Sequence, residues 1–91
     1  MNEYQPNSCS HPGETLEEVL DERGISVVVL DSYIHVGSNR IYQILDGQAS
    51  IASIAALLEP ILGVPAMFWL RRQEQYDQCI AMTRTRKIVE L

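Results

Sequence analysis

The sequence predicts an all-α domain, and three observations support that prediction. The chain has 91 residues, enough to bury one core, and 46% of them are hydrophobic, more than a disordered chain contains. Apolar residues recur at helical spacing in several segments, and glycine or proline residues separate those segments. Five short helices joined by loops of a few residues form a compact all-α domain.

The first predicted helix opens at His11-Pro12-Gly13-Glu14. Proline in the first turn of a helix loses no hydrogen bond, and Glu14 favours the positive end of the helix dipole. Leu16 and Leu20 follow at helical spacing, and Gly24 is a typical C-cap. We therefore expect a helix that ends at Gly24.

A second and a third helix are predicted around a tight turn. Residues 27–36 are ambiguous alone, because consecutive apolar residues also suit a buried strand. Ser26 as a cap, Gly37 as a stop and the lack of an alternating partner segment favour a helix. Ser38 is then expected to cap the third helix, which ends at Asp46-Gly47. Two helices joined by a turn containing glycine match the helix-turn-helix pattern.

The fourth helix is predicted over residues 51–62, with Ser50 before it and Gly63 after it. Because it is apolar on more than one side, we expect it at the centre of the core. Pro60 should loosen its last turn, since proline lacks the amide donor and clashes with the carbonyl group four residues earlier.

The last helix is predicted over residues 67–82. The chain is thus divided into a polar, mobile arm over residues 1–10, the helix-turn-helix domain over residues 11–82 and a tail over residues 83–91. Polar and apolar residues alternate in the tail, so it is either a frayed extension of the helix or a short strand.

Charge is unevenly distributed along the chain, whose net charge is −5. Residues 1–25 contain six acidic side chains and one arginine, whereas residues 71–91 contain five basic and three acidic side chains. An acidic front half argues against a general nucleic-acid coat, because neutralisation of phosphates supplies most non-specific affinity. It suits a basic protein partner.

The sequence indicates neither a metal site nor a catalytic site. Cys9 and His11 lack the further ligands that zinc requires. There is no Ser-His-Asp set, no pair of catalytic carboxylates and no glycine-rich phosphate loop, so we expect no enzyme activity and no cofactor. Without a signal peptide or a long apolar run, a cytoplasmic protein with no membrane contact is expected. Cys9 and Cys79 should then be reduced.

Motifs in this order resemble those of the HigA-type antitoxins, small proteins with a lambda-repressor-like helix-turn-helix. They are His11-Pro12-Gly13-Glu14, a helix-turn-helix ending in Asp46-Gly47, the segment 63–70 with Phe68-Trp69-Leu70, and Gln73-x-x-Tyr76-Asp77. The resemblance covers roughly residues 11–77, and the motifs are specific in combination. It implies a five-helix domain whose C-terminal helix extends into a dimer interface.

The resemblance implies a type II toxin–antitoxin role. Such antitoxins bind and neutralise a HigB-like, ribosome-associated toxin that cleaves mRNA, form homodimers and repress their own operon by binding operator DNA. Two alternatives stay open. One is a helix-turn-helix protein with weakened or lost DNA binding that acts mainly as an interaction module, and the other is a stand-alone transcriptional regulator without a toxin partner.

Three sets of candidate residues follow. Arginine pairs with guanine, and asparagine or glutamine pairs with adenine, so the third helix supplies base contacts. The DNA-binding candidates are Ser26, Ser38, Asn39, Arg40, Tyr42, Gln43 and Gln48. The dimer candidates are Phe68, Trp69, Arg72, Gln73, Tyr76 and Ile80. The acidic residues of the first helix are the toxin-binding candidates, namely Glu14, Glu17, Glu18, Asp21 and Glu22.

The chain departs from the pattern of this family at several positions. Val27 follows Ser26 where a polar or basic residue is usual, and Gln48 replaces a lysine after Gly47. Asp31 stands where a small residue is usual, and Pro60 interrupts the fourth helix. The first two changes remove cations that bind phosphates, so they bear on DNA affinity more than on the fold.

Overall fold

The computed structural model describes residues 9–89, with side chains as far as Thr83, and within that range it contains five α-helices and no strand. The all-α, five-helix prediction is thereby confirmed. The helices are α1 (Pro12–Arg23), α2 (Val27–Ile34), α3 (Ser38–Leu45), α4 (Ala55–Leu62) and α5 (Ala66–Val89). The prediction of a mobile arm lies mostly outside the described residues.

One hydrophobic core joins all five helices. Trp69 of α5 belongs to it and has no exposed surface, and buried leucine and isoleucine side chains of the other helices complete it. The α1 and α2 helices pack against α3, while α4 and the segment before it pack against α5. The α1 helix also contacts α5, so it links α3 to α5.

The predicted fourth helix is divided in two. Residues Ile51–Ser53 form a short 3₁₀ turn, capped by the Ser50 hydroxyl, which accepts a hydrogen bond from the amide of Ala52 at 3.0 Å. The α4 helix begins at Ala55, after Ile54 departs from helical geometry with φ −120°. It continues through Pro60 to Leu62 and ends at Gly63.

The last helix is longer than predicted. It runs for 24 residues to Val89, about 36 Å at the usual rise per residue, so the strand alternative for the tail is wrong. Within the described residues, none of the helices combines the length and the apolar character that crossing a bilayer requires.

Cys9 and Cys79 form a disulfide bond, with their Cα atoms 5.8 Å apart. The expectation that both cysteines are reduced is therefore wrong for this structure. Cys9 lies just before α1 and Cys79 lies on α5, so the bond ties the end of the N-terminal arm to the last helix. The arm prediction fails at this point, because Cys9 is anchored rather than free.

Candidate nucleic-acid and protein interfaces

The α3 helix presents a polar face to solvent and an apolar face to the core. Ile41 and Ile44 are completely buried, which fixes the rotation of the helix about its axis. The side chains on its other side are exposed. These are Asn39, Arg40, Tyr42 and Gln43, which we call the α3 face. The structure thus brings four of the DNA-binding candidates together on one outward surface.

The remaining DNA-binding candidates lie around this face in different roles. Ser38 was predicted to cap α3, but Gly37 holds the N-cap position. Ser38 is instead the first helical residue and is half-buried. No side chain caps α3. Ser26 does cap α2, since its hydroxyl accepts a hydrogen bond from the amide of Val29 at 3.1 Å. Gln48 is exposed just beyond α3.

Asp31 organises the turn between α2 and α3. Its Oδ1 atom accepts hydrogen bonds from the amides of Val36 at 2.9 Å and Gly37 at 2.8 Å. Its backbone carbonyl accepts a third, from the amide of His35 at 2.8 Å. In the sequence, Asp31 stands out only as a departure from the family pattern. The available signal was an aspartate a few residues before a glycine turn, since short polar side chains commonly accept hydrogen bonds from nearby backbone amides.

The outward side of α2 is apolar. Val28 is 68% exposed and Tyr33 is 66% exposed, and Val29 lies beside them. Arg40 is the one Lys or Arg side chain between residues 26 and 48, and it is accompanied by two aspartates. The segment that contains α2, the turn and α3 therefore offers little positive charge.

The opening motif of α1 forms an internal joint with α5. The Nδ1 atom of His11 accepts a hydrogen bond from the amide of Gly13 at 2.9 Å and so caps α1. The imidazole lies edge-on to Tyr76, with ring centroids 4.7 Å apart. Burial lowers the pKa of His11 below its ordinary value, and a hydrogen bond with the backbone of Ala49 opposes that shift. We call His11, Gly13, Gln73 and Tyr76 the α1–α5 joint.

Gly13 permits a close approach between α1 and α3. A Cβ atom at this position would overlap the backbone carbonyl of Ile44, at the end of α3. Only glycine therefore allows α1 and α3 to pack at this distance. The motif glycine is a packing requirement rather than a surface feature.

Gln73 and Trp69 lie inside the protomer. Gln73 is 6% exposed, and its Oε1 atom accepts a hydrogen bond from the amide of Ile51 at 2.9 Å, while its Nε2 atom donates one to Asp77 at 3.1 Å. Trp69 has no exposed surface. Neither side chain is available to a partner, so the dimer candidates are corrected at these two positions. Both residues hold α5 against the rest of the domain instead.

The other dimer candidates retain some surface. Phe68 is 40% exposed, whereas Tyr76 and Ile80 are half-buried. Arg72 donates a hydrogen bond to the Thr15 hydroxyl at 3.1 Å, which engages it within the chain. A groove with exposed apolar side chains lies at the start of α5. It is lined by Pro65, Met67, Phe68, Arg71, Arg72 and Gln75.

The acidic side of α1 faces solvent. All five toxin-binding candidates are exposed, while Leu16 and Leu20 on the opposite side of the helix are buried. They are Glu14, Glu17, Glu18, Asp21 and Glu22. Among residues 9–89, no group of three or more His, Cys, Asp or Glu side chains is arranged to hold a metal ion.

The geometry defines a lambda-repressor-like helix-turn-helix domain, and similar solved structures are known. An addiction module antidote protein of the HigA family from Coxiella burnetii is 35% identical, with a TM-score of 0.76, over 89% of this chain and 90% of its own. A candidate antidote protein of a plasmid maintenance system from Nostoc punctiforme is 29% identical, with a TM-score of 0.84, over 90% of this chain and 91% of its own. No protein-family model and no curated protein matches the chain.

The identity and the nearly complete coverage decide the family. The chain belongs to the HigA family of addiction module antidote proteins. The predicted resemblance to HigA-type antitoxins is therefore confirmed.

Proposed function

We propose that this chain is the antitoxin of a type II toxin–antitoxin pair, which binds operator DNA as a homodimer, represses its own operon and neutralises a HigB-like toxin. The observation that carries the DNA part is the exposed α3 face above its buried isoleucines. An α-helix with its side chains is about 10–12 Å in diameter, so α3 fits a major groove about 12 Å wide. The protein would act in the cytoplasm.

The α3 face offers suitable groups for reading bases. Arg40 can pair bidentately with guanine, and Asn39 and Gln43 can pair with adenine. Because no side chain caps α3, its first amides can also receive a phosphate oxygen. In a dimer the two α3 helices would lie about one turn of DNA apart, so the operator should be palindromic.

The low positive charge near the α3 face sets an expectation for salt dependence. Arg40 is the one Lys or Arg of residues 26–48 and is assigned to a base, so the log–log salt slope of the dimer should be no steeper than about −2, the value for one phosphate neutralised per protomer. Affinity should thus come more from groove contacts than from released counterions.

DNA binding is tested by fluorescence anisotropy with a duplex from immediately upstream of the gene, at several salt concentrations. We expect a saturable signal that an unrelated duplex of the same length does not give. Absence of binding at low salt would contradict the DNA part of the proposal.

The groove at the start of α5 is the proposed dimer surface. Large, partly exposed aromatic side chains supply much of the energy of such interfaces, which places Phe68 at its centre. Phe68→Glu should convert the dimer to a monomer in sedimentation equilibrium. Leu57→Glu is the matched control, because Leu57 is 41% exposed against 40% for Phe68 but lies on α4. A wild-type monomer at micromolar concentration would contradict the dimer.

The acidic side of α1 is the proposed toxin surface, since it suits a basic partner. Glu17→Lys should weaken co-purification with the toxin encoded next to the gene and reduce rescue of growth. Glu74→Lys makes the same charge change at another exposed glutamate, on α5, and should have no effect. Equal co-purification and equal rescue of growth by the two variants would contradict α1 as the toxin surface.

A second candidate function is that of an interaction module without DNA binding. The exposed Val28, Val29 and Tyr33 of α2 favour it, because apolar side chains supply no charge to contact a phosphate. Toxin neutralisation without any binding to the upstream duplex would select this function.

A further inference from the structure

We infer that Asp31 is the positioning residue of α3, fixing the angle at which this helix leaves the domain. Three consecutive amides of the preceding turn converge on this one residue. The amides of His35, Val36 and Gly37 donate to Asp31 over 2.8, 2.9 and 2.8 Å. The backbone carbonyl receives the first, and the carboxylate receives the other two.

The turn needs this support because of the residues that form it. His35 adopts φ 57°, a left-handed conformation that side chains other than glycine seldom take. Gly37 has φ 97° and holds the N-cap position of α3, but it has no side chain with which to cap that helix. The turn therefore combines a strained residue with a flexible glycine, and the Asp31 carboxylate holds it by accepting the amides of Val36 and Gly37.

The direction of α3 depends on this turn because no residue intervenes between the turn and the helix. Gly37, bonded to Asp31, is followed immediately by Ser38, the first helical residue. Asn39 and Arg40 lie in the first turn of α3. A rotation at Gly37 would displace these two side chains, while Ile41 and Ile44 would still hold the helix on the core.

The consequence for DNA rests on the proposed operator binding. A carboxylate near DNA weakens binding by repulsion, so its removal alone should increase affinity. A positioning role predicts the opposite change, namely a loss of affinity when the carboxylate is removed. Asp31→Ala should lower affinity for the upstream duplex tenfold or more, and it should narrow the preference for that duplex over an unrelated one.

Matched variants separate positioning from charge. Asp31→Asn removes the charge but keeps a side-chain carbonyl that can accept both amides, and it should bind within about threefold of wild type. Asp46→Ala removes an exposed negative charge at the opposite end of α3 and should bind at least as tightly as wild type. Asp31→Ala/His35→Gly should recover part of the lost affinity, because glycine relieves the left-handed strain.

A second measurement works without DNA. Amide residual dipolar couplings of the full chain report the orientation of α3 relative to α1. They should change in Asp31→Ala and remain as in wild type in Asp46→Ala, and exchange of the Val36 and Gly37 amides should accelerate only in the former. Unchanged couplings in Asp31→Ala, or binding as tight as that of Asp46→Ala, would overturn the inference. Changed couplings in a protein that binds no DNA would uphold it and reject operator binding instead.

Discussion

The α1–α5 joint and the α3 face use polar residues in opposite ways. In the joint, His11 and Gln73 are buried, and each polar atom described there has a partner within the chain. On the α3 face, Asn39 and Arg40 are exposed above an apolar side that holds the helix to the core. Buried polar groups must be paired internally, so the joint specifies the fold, whereas exposed groups remain available to a ligand.

This comparison explains why the family resemblance was visible in the sequence. Each of the motif residues in the joint makes a contact within the protomer: His11 packs on Tyr76, Gly13 lets α1 approach α3, and Gln73 bonds to the Ile51 amide. Their spacing reflects the geometry of one protomer. The residues that would select an operator lie elsewhere, on the α3 face.

The largest effect on the fold should follow from loss of the Cys9–Cys79 bond. Closing a loop with a sequence separation of 70 restricts the unfolded chain, which stabilises the protein by about 4 kcal/mol on loop-entropy grounds. Cys79→Ser should therefore lower the free energy of unfolding by about that amount in oxidising buffer. A reducing agent should abolish the difference in denaturation curves. Wild-type curves that coincide with and without reductant would contradict the bond.

The next effect concerns Gly13 in the joint. Gly13→Ala places a methyl group against the carbonyl of Ile44, and separating α1 from α3 should cost about 3 kcal/mol in urea unfolding. Gly63→Ala is the control, because open space surrounds that position. Its φ of 73° still costs about 1 kcal/mol in an alanine. Equal losses of unfolding free energy in the two variants would show that the close contact at Gly13 does not contribute to stability.

A smaller loss is expected at Gln73. Gln73→Met fills a similar volume but leaves the buried Ile51 amide without its acceptor, which should cost about 2 kcal/mol. Gln78→Met, at an exposed position on the same helix outside the groove, should change the unfolding free energy by less than about 0.5 kcal/mol. Thermal and urea unfolding of the pair check this. A similar unfolding free energy for both variants would show that the hydrogen bond between the Ile51 amide and Gln73 does not stabilise the fold.

The smallest effect is a pH dependence from His11. Because burial lowers its pKa in the folded state, the unfolded chain binds the proton more readily, and stability falls as the pH drops through the ordinary histidine range towards 5. Above that range the contribution of His11 to the free energy of unfolding is fully present. His11→Asn keeps a good N-cap residue and should flatten the unfolding free energy between pH 7.5 and 5. An unchanged slope would assign the dependence to other groups.

The predictability of the structure differed between its two regions for physical reasons. Helical spacing and capping residues predicted α1, α2 and α3 correctly in type, because local preferences and the core agreed there. The division after Ser53 was missed, since a break between a 3₁₀ turn and α4 depends on packing against α5. The end of α5 was left open between a helix extension and a strand, because alternating residues fit a strand as well as an exposed helix, and the structure shows the extension.

The candidate site was only partly predictable. Exposure of Asn39, Arg40 and Gln43 followed from the spacing of the buried isoleucines. The roles of Asp31 and Gln73 did not, because their partners lie in other elements or in a turn whose geometry the sequence does not determine. The disulfide was missed since the cellular compartment, rather than the proximity of Cys9 and Cys79 in the fold, decided the expectation.

The central claim is that the α3 face carries ligand contact while the α1–α5 joint carries the fold. It is tested most directly by anisotropy titrations of the upstream duplex with Arg40→Ala and Gln73→Met, at a temperature where both variants are folded. Arg40→Ala should bind tenfold or more weakly, about 1.4 kcal/mol, with unchanged stability. Gln73→Met should bind within about twofold of wild type despite its lower stability. Wild-type affinity in Arg40→Ala together with lost affinity in folded Gln73→Met would contradict the account.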